Sequence, residues 1–430
     1  MSIKDNYNDR LKAMYSLRRF GIKLGLDTIR NILKGLGNPQ DCFECIHVAG
    51  TNGKGSIASA LSSILHASGY KVGLYTSPHL VRFNERICID NRRISDEDVV
   101  ASYDAVLSVP QGEREPTFFE LTTAMALYEF ARQKVNWAII ETGMGGRLDA
   151  TNIINPAVSI ISNISVEHKE YLGNTISQIA GEKGGIIKKQ TPVVTGVKQK
   201  SAVSVLKKIA VEKSAPLYRF GNEFRVRRDK AGTFTYFGIK NVWKKMQTGL
   251  SGNYQVDNAA LVLAACEVLN TGKTNIELEH IKAGLVQNTW EGRLEVVSTS
   301  PLILVDGAHN LVAAKNLSKF LSENFADRKI TLIIGILDDK PYSAMLRSLL
   351  PVCDRVILTR PKIDRALSPE KLCDTAKKFI QDVKIIPDIN KAINHAVNTA
   401  SGNDAICIAG SLYVVGEAKA ELEKKGFNHF

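Results

Sequence analysis

The chain has 430 residues, 44% apolar and 23% charged, a composition that excludes a disordered protein and a length that suits two domains better than one core. Its formal charge of +12 suits nucleic acid, an anionic membrane or anionic small molecules, and composition alone does not choose among them. The polar start, Met1 to Arg10, has no signal-like apolar stretch, and no apolar run of about 18 residues occurs, so neither an export signal nor a membrane span is expected.

Strands and helices alternate along most of the chain, the pattern of an α/β fold with mostly parallel sheets. Residues 43–49 form a first apolar strand, followed by a glycine-rich turn and an apolar helix over 56–66. A strand is expected at 71–75 and a hairpin at 85–94 turning on Asp90-Asn91. Ser95 or Asp96 caps a helix running to about residue 109. A helix over 119–134 and buried strands at 137–141 and 157–162 come next. A helical pattern covers 177–189, a second hairpin 224–237 turns at 229–232, and an apolar helix covers 255–269. Short apolar runs at 302–305, 330–336, 355–359, 383–386 and 405–409 then build a smaller, Rossmann-like α/β domain. The boundary falls near 290–293, giving domains 1–290 and 291–430.

The seven cysteines show no framework of spacings. Cys42 and Cys45 form a lone CxxC without a second pair, and Cys45 leads straight into a strand, so neither a zinc nor a redox site is expected. The reading is a soluble protein of the reducing cytoplasm.

The turn Gly50-Thr51-Asn52-Gly53-Lys54-Gly55-Ser56 sits between a strand and a long helix. Backbone N–H groups and a helix N-terminus there can surround a phosphate, with Lys54 adding charge and the glycines allowing close approach. The spelling departs from GxxxxGK[ST]: Val48 replaces the first glycine, and the hydroxyl comes one place late, at Ser56. Nucleotide binding is expected, but a kinase, motor or switch would share such a loop.

Four more segments place polar, metal-competent residues at strand ends or tight loops, where ligands collect in open α/β sheets. They are Thr76-Ser77-Pro78-His79-Leu80, the stretch from Glu141 to Asn152, Glu167-His168, and Glu182-Lys183-Gly184-Gly185-Ile186; Asp306-Gly307-Ala308-His309-Asn310 is a fifth, in the second domain. Each has a plain structural reading: a turn, a strand-end charge, a structural histidine, a solvated helix face. Their combination with the phosphate loop, oxygen ligands plus one imidazole, suits Mg²⁺, or alternatively Mn²⁺, bridging phosphates.

These motifs, with Arg293 and the stretch from Gly410 to Glu417, resemble those of folylpolyglutamate synthase and dihydrofolate synthase, in the Mur ligase superfamily. The resemblance runs in order from about Tyr15 to Glu417. It implies an N-terminal P-loop ATPase domain and ATP held by Gly50, Thr51, Asn52, Gly53, Lys54, Gly55 and Ser56. Asn258, Arg293, Asp306 and His309 are implied as further nucleotide contacts. Ser77, Glu141 and His168 match magnesium ligands, and Lys183 matches a lysine carbamylated on its ε-amine, an anionic metal ligand. Lys54, Lys183, His168 and Arg293 would carry the chemistry. Ser77, Pro78, His79, Arg86 and Asp149 are expected at the folate end, and Phe118 and Phe119 as the start of a buried helix.

The implied reaction joins L-glutamate to folate or dihydropteroate through an acyl phosphate, in a monomer. A basic cleft then serves anionic substrates. The alternatives are a Mur-type ligase for another substrate and a basic P-loop ATPase on nucleic acid. For the last, no arginine stripe or interleaved aromatic run is present.

Overall fold

The computed structural model describes residues 3–21, 23–229, 232–270 and 274–427. The chain divides into two compact units. The first comprises residues 1–78, 83–249 and 255–289, and the second 79–82, 250–254 and 290–430.

The first unit holds an eight-stranded sheet. Its strands are β1 (Glu44–Ala49), β2 (Val72–Tyr75), β3 (Ile87–Ile89), β4 (Arg92–Arg93), β5 (Trp137–Glu141), β6 (Val158–Ile161), β7 (Val193–Thr195) and β8 (Leu217–Arg219). Their order is β4-β3-β2-β5-β1-β6-β7-β8, antiparallel only where β3 pairs β2 and β4. The central strands are buried along their length, which is why they read as continuous apolar runs. The β3–β4 turn is at Asp90-Asn91, both with positive φ, the backbone a two-residue hairpin demands.

The helix expected over 56–66 is Lys54–Ala67. Ser95 caps Asp96–Leu107 in a reciprocal box with Asp98, and Thr117 does the same with Glu120 for Phe118–Arg132. Phe118 and Phe119 open that helix, half-buried against the core. The helical pattern over 177–189 is realised only as Ile176–Gly184. It stops where Gly185 lies so close to the Arg147 backbone that a Cβ would not fit.

A separate antiparallel sheet, β9 (Arg225–Arg228), β10 (Phe234–Phe237) and β11 (Val242–Met246), completes the unit. The second expected hairpin is the β9–β10 pair; residues 230 and 231 of its turn lie outside the described residues. Strands β7, β8 and β11 carry no clear apolar signal, because they are three to five residues long and β11 sets two lysines in its middle and is mostly exposed.

The second unit has a six-stranded sheet of β12 (Glu295–Thr299), β13 (Leu302–Val305), β14 (Ile330–Ile334), β15 (Arg355–Leu358), β16 (Val383–Ile385) and β17 (Ala405–Ala409). Its order is β12-β13-β17-β14-β15-β16, parallel except for β12. Residues 79–82 belong here because Gly416 packs against the Leu80 backbone with no room for a Cβ. No disulfide forms among the described residues, which include all seven cysteines. Cys45 is buried, which pushes its thiol up to about 12. Among the described residues no helix is long and apolar enough to cross a membrane.

Candidate functional site

Strands β2, β5, β1 and β6 run parallel, so their C-terminal ends fall on one edge of the sheet. The sequence there places Ser77, Glu141, the Gly50–Ser56 loop and Ser162-Asn163 side by side. β1 lies between β5 and β6 while its own chain continues to β2, and such a point of reversal is where a doubly wound sheet leaves a crevice.

The phosphate loop is held from the β6 side. The Asn163 side chain accepts from the Asn52 amide at 3.0 Å and donates to the Asn52 carbonyl at 2.9 Å. Ser162 Oγ donates to the same carbonyl at 2.6 Å, and Thr51 Oγ1 accepts from the Ser165 amide at 3.0 Å. Gly53, at φ 84°, caps Lys54–Ala67; a Cβ on it would lie 2.7 Å from Asn258 Oδ1. Asn258 donates to Gln255 at 2.8 Å, and Gln255 in turn donates to Ser56 Oγ at 3.3 Å. Lys54 Nζ lies over its own loop, 3.0 Å from the Gly50 carbonyl. The loop is thus a fixed ring of backbone at a helix N-terminus, the arrangement that favours an anion.

Lys183 is 1% exposed, and its Nζ donates to Gly50 O and to Glu167 Oε1, both at 2.9 Å. Burial lowers the Lys183 pKa; Glu167 opposes that shift while the nearby charge of Lys54 adds to it. Burial alone would raise Glu167, but the Lys183 and Lys54 ammonium groups outweigh it and bring the carboxyl down to about 2. Glu167 is therefore ionised at neutral pH, and Lys183 gives up its proton more readily than a solvated lysine.

Glu141 is buried, and one carboxylate oxygen accepts from the Ser77 amide at 3.0 Å. The hydroxyl-bearing residue and the carboxylate thus meet at the ends of β2 and β5. His168 is exposed, in left-handed backbone at the start of Lys169–Leu172. Among the described residues no group of three or more His, Cys, Asp or Glu side chains gathers as a metal cage. The Ser77–Glu141 pair of hard oxygen donors nevertheless fits Mg²⁺, which keeps several waters and takes other ligands from substrate phosphates.

Asp149 is buried. Its carboxylate accepts from the Met144 and Thr151 amides and from Thr151 Oγ1, which fixes the 143–152 loop. Burial raises its pKa, and these hydrogen bonds oppose the rise. The loop is docked on the end of Ile176–Gly184 by the Arg147–Glu182 ion pair at 2.8 Å. Arg86 lies over the Phe118 ring at 5.1 Å, and Arg18 over the same ring at 4.9 Å. Pro78 is exposed in the first unit, and His79 belongs to the second.

In the second unit Asp306 is buried and accepts from the Leu294 amide at 2.9 Å. Burial raises its pKa against the opposing charge of Arg293. His309 Nδ1 is 2.8 Å from Gly307 O. Ser162, Asn163, Ser165 and Gln255 complete the loop's support and are not among the residues expected from sequence; Glu167 is expected beside His168, but without its pairing to Lys183. Only the polar run after β6 hinted at three of them.

The description "Mur ligase middle domain" matches residues 48–266, and "Mur ligase, glutamate ligase domain" matches 292–412. The dihydrofolate synthase/folylpolyglutamate synthase of Bacillus subtilis is 34% identical over 428 residues, covering 97% of this chain and 99% of the relative. The Mycobacterium tuberculosis folylpolyglutamate synthase, solved with ADP and AMPPCP, superposes with a TM-score of 0.87 at 32% identity, covering 96% of this chain and 98% of that one. The bifunctional Yersinia pestis enzyme, solved with AMPPNP and Mn, gives 0.87 at 28% identity, covering 97% and 98%. With this agreement over both units, the chain belongs to the folylpolyglutamate and dihydrofolate synthase family of Mur ligases, and is an ATP-dependent ligase.

Proposed function

We propose that the ligase adds L-glutamate to a folate, extending the tail of tetrahydrofolate, converting dihydropteroate to dihydrofolate, or both. The observation that carries this reading is the phosphate loop, braced by Asn163 and touched by buried Lys183, on the sheet edge that also bears Ser77 and Glu141.

A carboxylate is a poor electrophile, so the γ-phosphoryl group of ATP is first transferred to it, giving an acyl phosphate and ADP. The glutamate amine attacks the acyl carbon, phosphate leaves with the C–O bond, and the amine loses a proton as the amide forms. Lys54 and the loop amides hold the phosphates, and Arg293 adds charge during transfer. Asn258, Asp306 and His309 complete the nucleotide contacts. Mg²⁺ on Ser77, Glu141 and His168 would neutralise phosphate charge. Holding the partners in line and excluding water protects the acyl phosphate.

Lys183 is proposed to be carbamylated. Its burial and the nearby Lys54 favour the neutral amine, the form that takes up CO₂. A carbamate keeps one N–H, enough to retain the Gly50 carbonyl. Phe118, with the Arg18 and Arg86 guanidinium groups over its ring, supports the folate end of the reading, to which Ser77, Pro78, His79, Arg86 and Asp149 are assigned. A monomer in the reducing cytoplasm completes the proposal, in keeping with seven cysteines of which none is in a disulfide among the described residues.

The test is phosphate release from Mg-ATP with L-glutamate, run with dihydropteroate, with tetrahydrofolate and with neither. Release that needs both glutamate and a pterin supports the reading, and the active pterin states which reaction is made. Release without a pterin would reject the folate assignment.

A further inference from the structure

Lys419, in the helix Leu412–Lys424, is 2% exposed. Its Nζ donates to Glu291 Oε2 at 2.8 Å and to Glu295 Oε1 and Oε2 at 2.7 and 3.0 Å. The two glutamates stand two residues before and two residues after Arg293. One buried ammonium therefore grips the chain on both sides of that arginine.

The residues between are fixed as well. The Gly292 amide donates to Glu295 Oε2 at 2.5 Å, and the Gly292 carbonyl accepts from the Gly307 amide at 2.7 Å. The Leu294 amide donates to Asp306 at 2.9 Å. Gly292 and Leu294 have positive φ, 67° and 46°, and a leucine in that region is uncommon and strained. The Arg293 guanidinium lies against Gly307, where a Cβ would collide with Nη1.

A buried ion cluster is a poor way to gain stability, since apolar side chains of similar size commonly do as well. What apolar packing does not supply is two directional anchor points. We propose that Lys419 is a positioning residue: it clamps 291–295 in its strained form and so fixes the direction in which Arg293 projects. The inference rests on the reading of Arg293 as a phosphate-contacting group in the ligase reaction.

The experiment is a double-mutant cycle on the full chain, with kcat, KM for ATP and the unfolding midpoint measured for Arg293→Ala, Lys419→Met and the double variant. Assays run below the lowest midpoint. Lys419→Met is expected to lower kcat about 10- to 100-fold, the scale of a misplaced catalytic group. The double variant should be no slower than Arg293→Ala alone, because the clamp has nothing left to aim. A purely structural role would cost the same factor with or without Arg293, and multiplicative losses would overturn the proposal; so would wild-type kcat in Lys419→Met. Normal turnover in Arg293→Ala would instead remove the reading on which the clamp depends. Should Lys419→Met not fold, Glu295→Gln keeps the Lys419–Glu291 pair and is read by the same cycle, with the same criteria.

Discussion

Lys183 donates to the carbonyl of Gly50, 133 positions away in sequence and the first residue of the phosphate loop, at 2.9 Å. The contact joins the end of the helix Ile176–Gly184 to the turn after β1. It makes the chemical state of one buried amine a property of the nucleotide site.

Lys183→Ala is therefore expected to lose most ligase activity, at least 100-fold in kcat, on the scale of losing one charged group from a preorganised site. Wild-type activity should also fall in CO₂-depleted buffer and return with bicarbonate, whereas the variant should not respond. Near-normal turnover by Lys183→Ala would remove the carbamate from the account.

The loop itself is tested at Gly53. Its φ of 84° and the nearness of Asn258 oppose any side chain. Gly53→Ala is expected to cost about 1–2 kcal/mol in backbone strain and to move Asn258. The KM for ATP should rise about tenfold, while affinity for the folate substrate, measured by direct titration without nucleotide, stays within a factor of about two. An unchanged KM would mean that the loop does not need this geometry.

Much of this site was legible in the sequence because its signals are local. A glycine-rich turn between an apolar strand and a helix fixes where Lys54 lies, and polar residues at the ends of apolar runs mark Ser77 and Glu141. What could not be read are partnerships made across the sheet. Asn163 supports Asn52 from 111 positions away, and nothing in its neighbours distinguishes it from any loop asparagine. Glu167 was visible beside His168, but its pairing with Lys183 depends on how β6 and β7 sit in the sheet. Asp149 is expected at the folate end only through the family resemblance of its segment. The structure shows that carboxylate accepting from amides of that same loop. Leu80 and the 250–254 segment joined the second unit through close packing, which leaves no periodic trace.

Glu267 is a buried carboxylate with five donors: Tyr236 Oη at 2.8 Å, the amides of Ile239, Lys240 and Asn241, and Asn241 Nδ2. It ties the helix Asn253–Leu269 to the β10–β11 turn. Burial, followed by the Glu267 charge, raises the Tyr236 phenol, so the phenol stays protonated and donates. Glu267→Gln places an NH₂ group against N–H and O–H donors. A loss of about 3 kcal/mol is expected, read as a lower denaturation midpoint with an unchanged KM for ATP. A midpoint equal to the wild type would show that the donors find other partners at no cost.

His47 should give the protein an acid-side stability slope of its own. It is fully buried on β1, and its Nε2 is 2.9 Å from Thr151 Oγ1. The Thr151 hydroxyl donates to Asp149, so Nε2 must carry the hydrogen, and Nδ1 is left as a buried acceptor with no hydrogen-bond partner among the described residues. Burial first, and the charge of Lys188 second, lower the imidazole from 6.5 to about 3. Below pH 6.5 the unfolded chain takes up a proton that the folded chain refuses until about pH 3. Stability therefore falls as pH falls through that window, by up to about 1.4 kcal/mol per pH unit. Glu167 adds a loss of the same sign below the ordinary glutamate value of 4.5, while the raised Asp149 and Asp306 act in the opposite sense. The difference between wild type and His47→Gln from pH 6.5 to 4.5 isolates the histidine. Urea unfolding across that range should show the variant losing about 2–3 kcal/mol less than the wild type. Parallel curves would mean that His47 takes up its proton in the folded state, and that Nδ1 has a partner when it does.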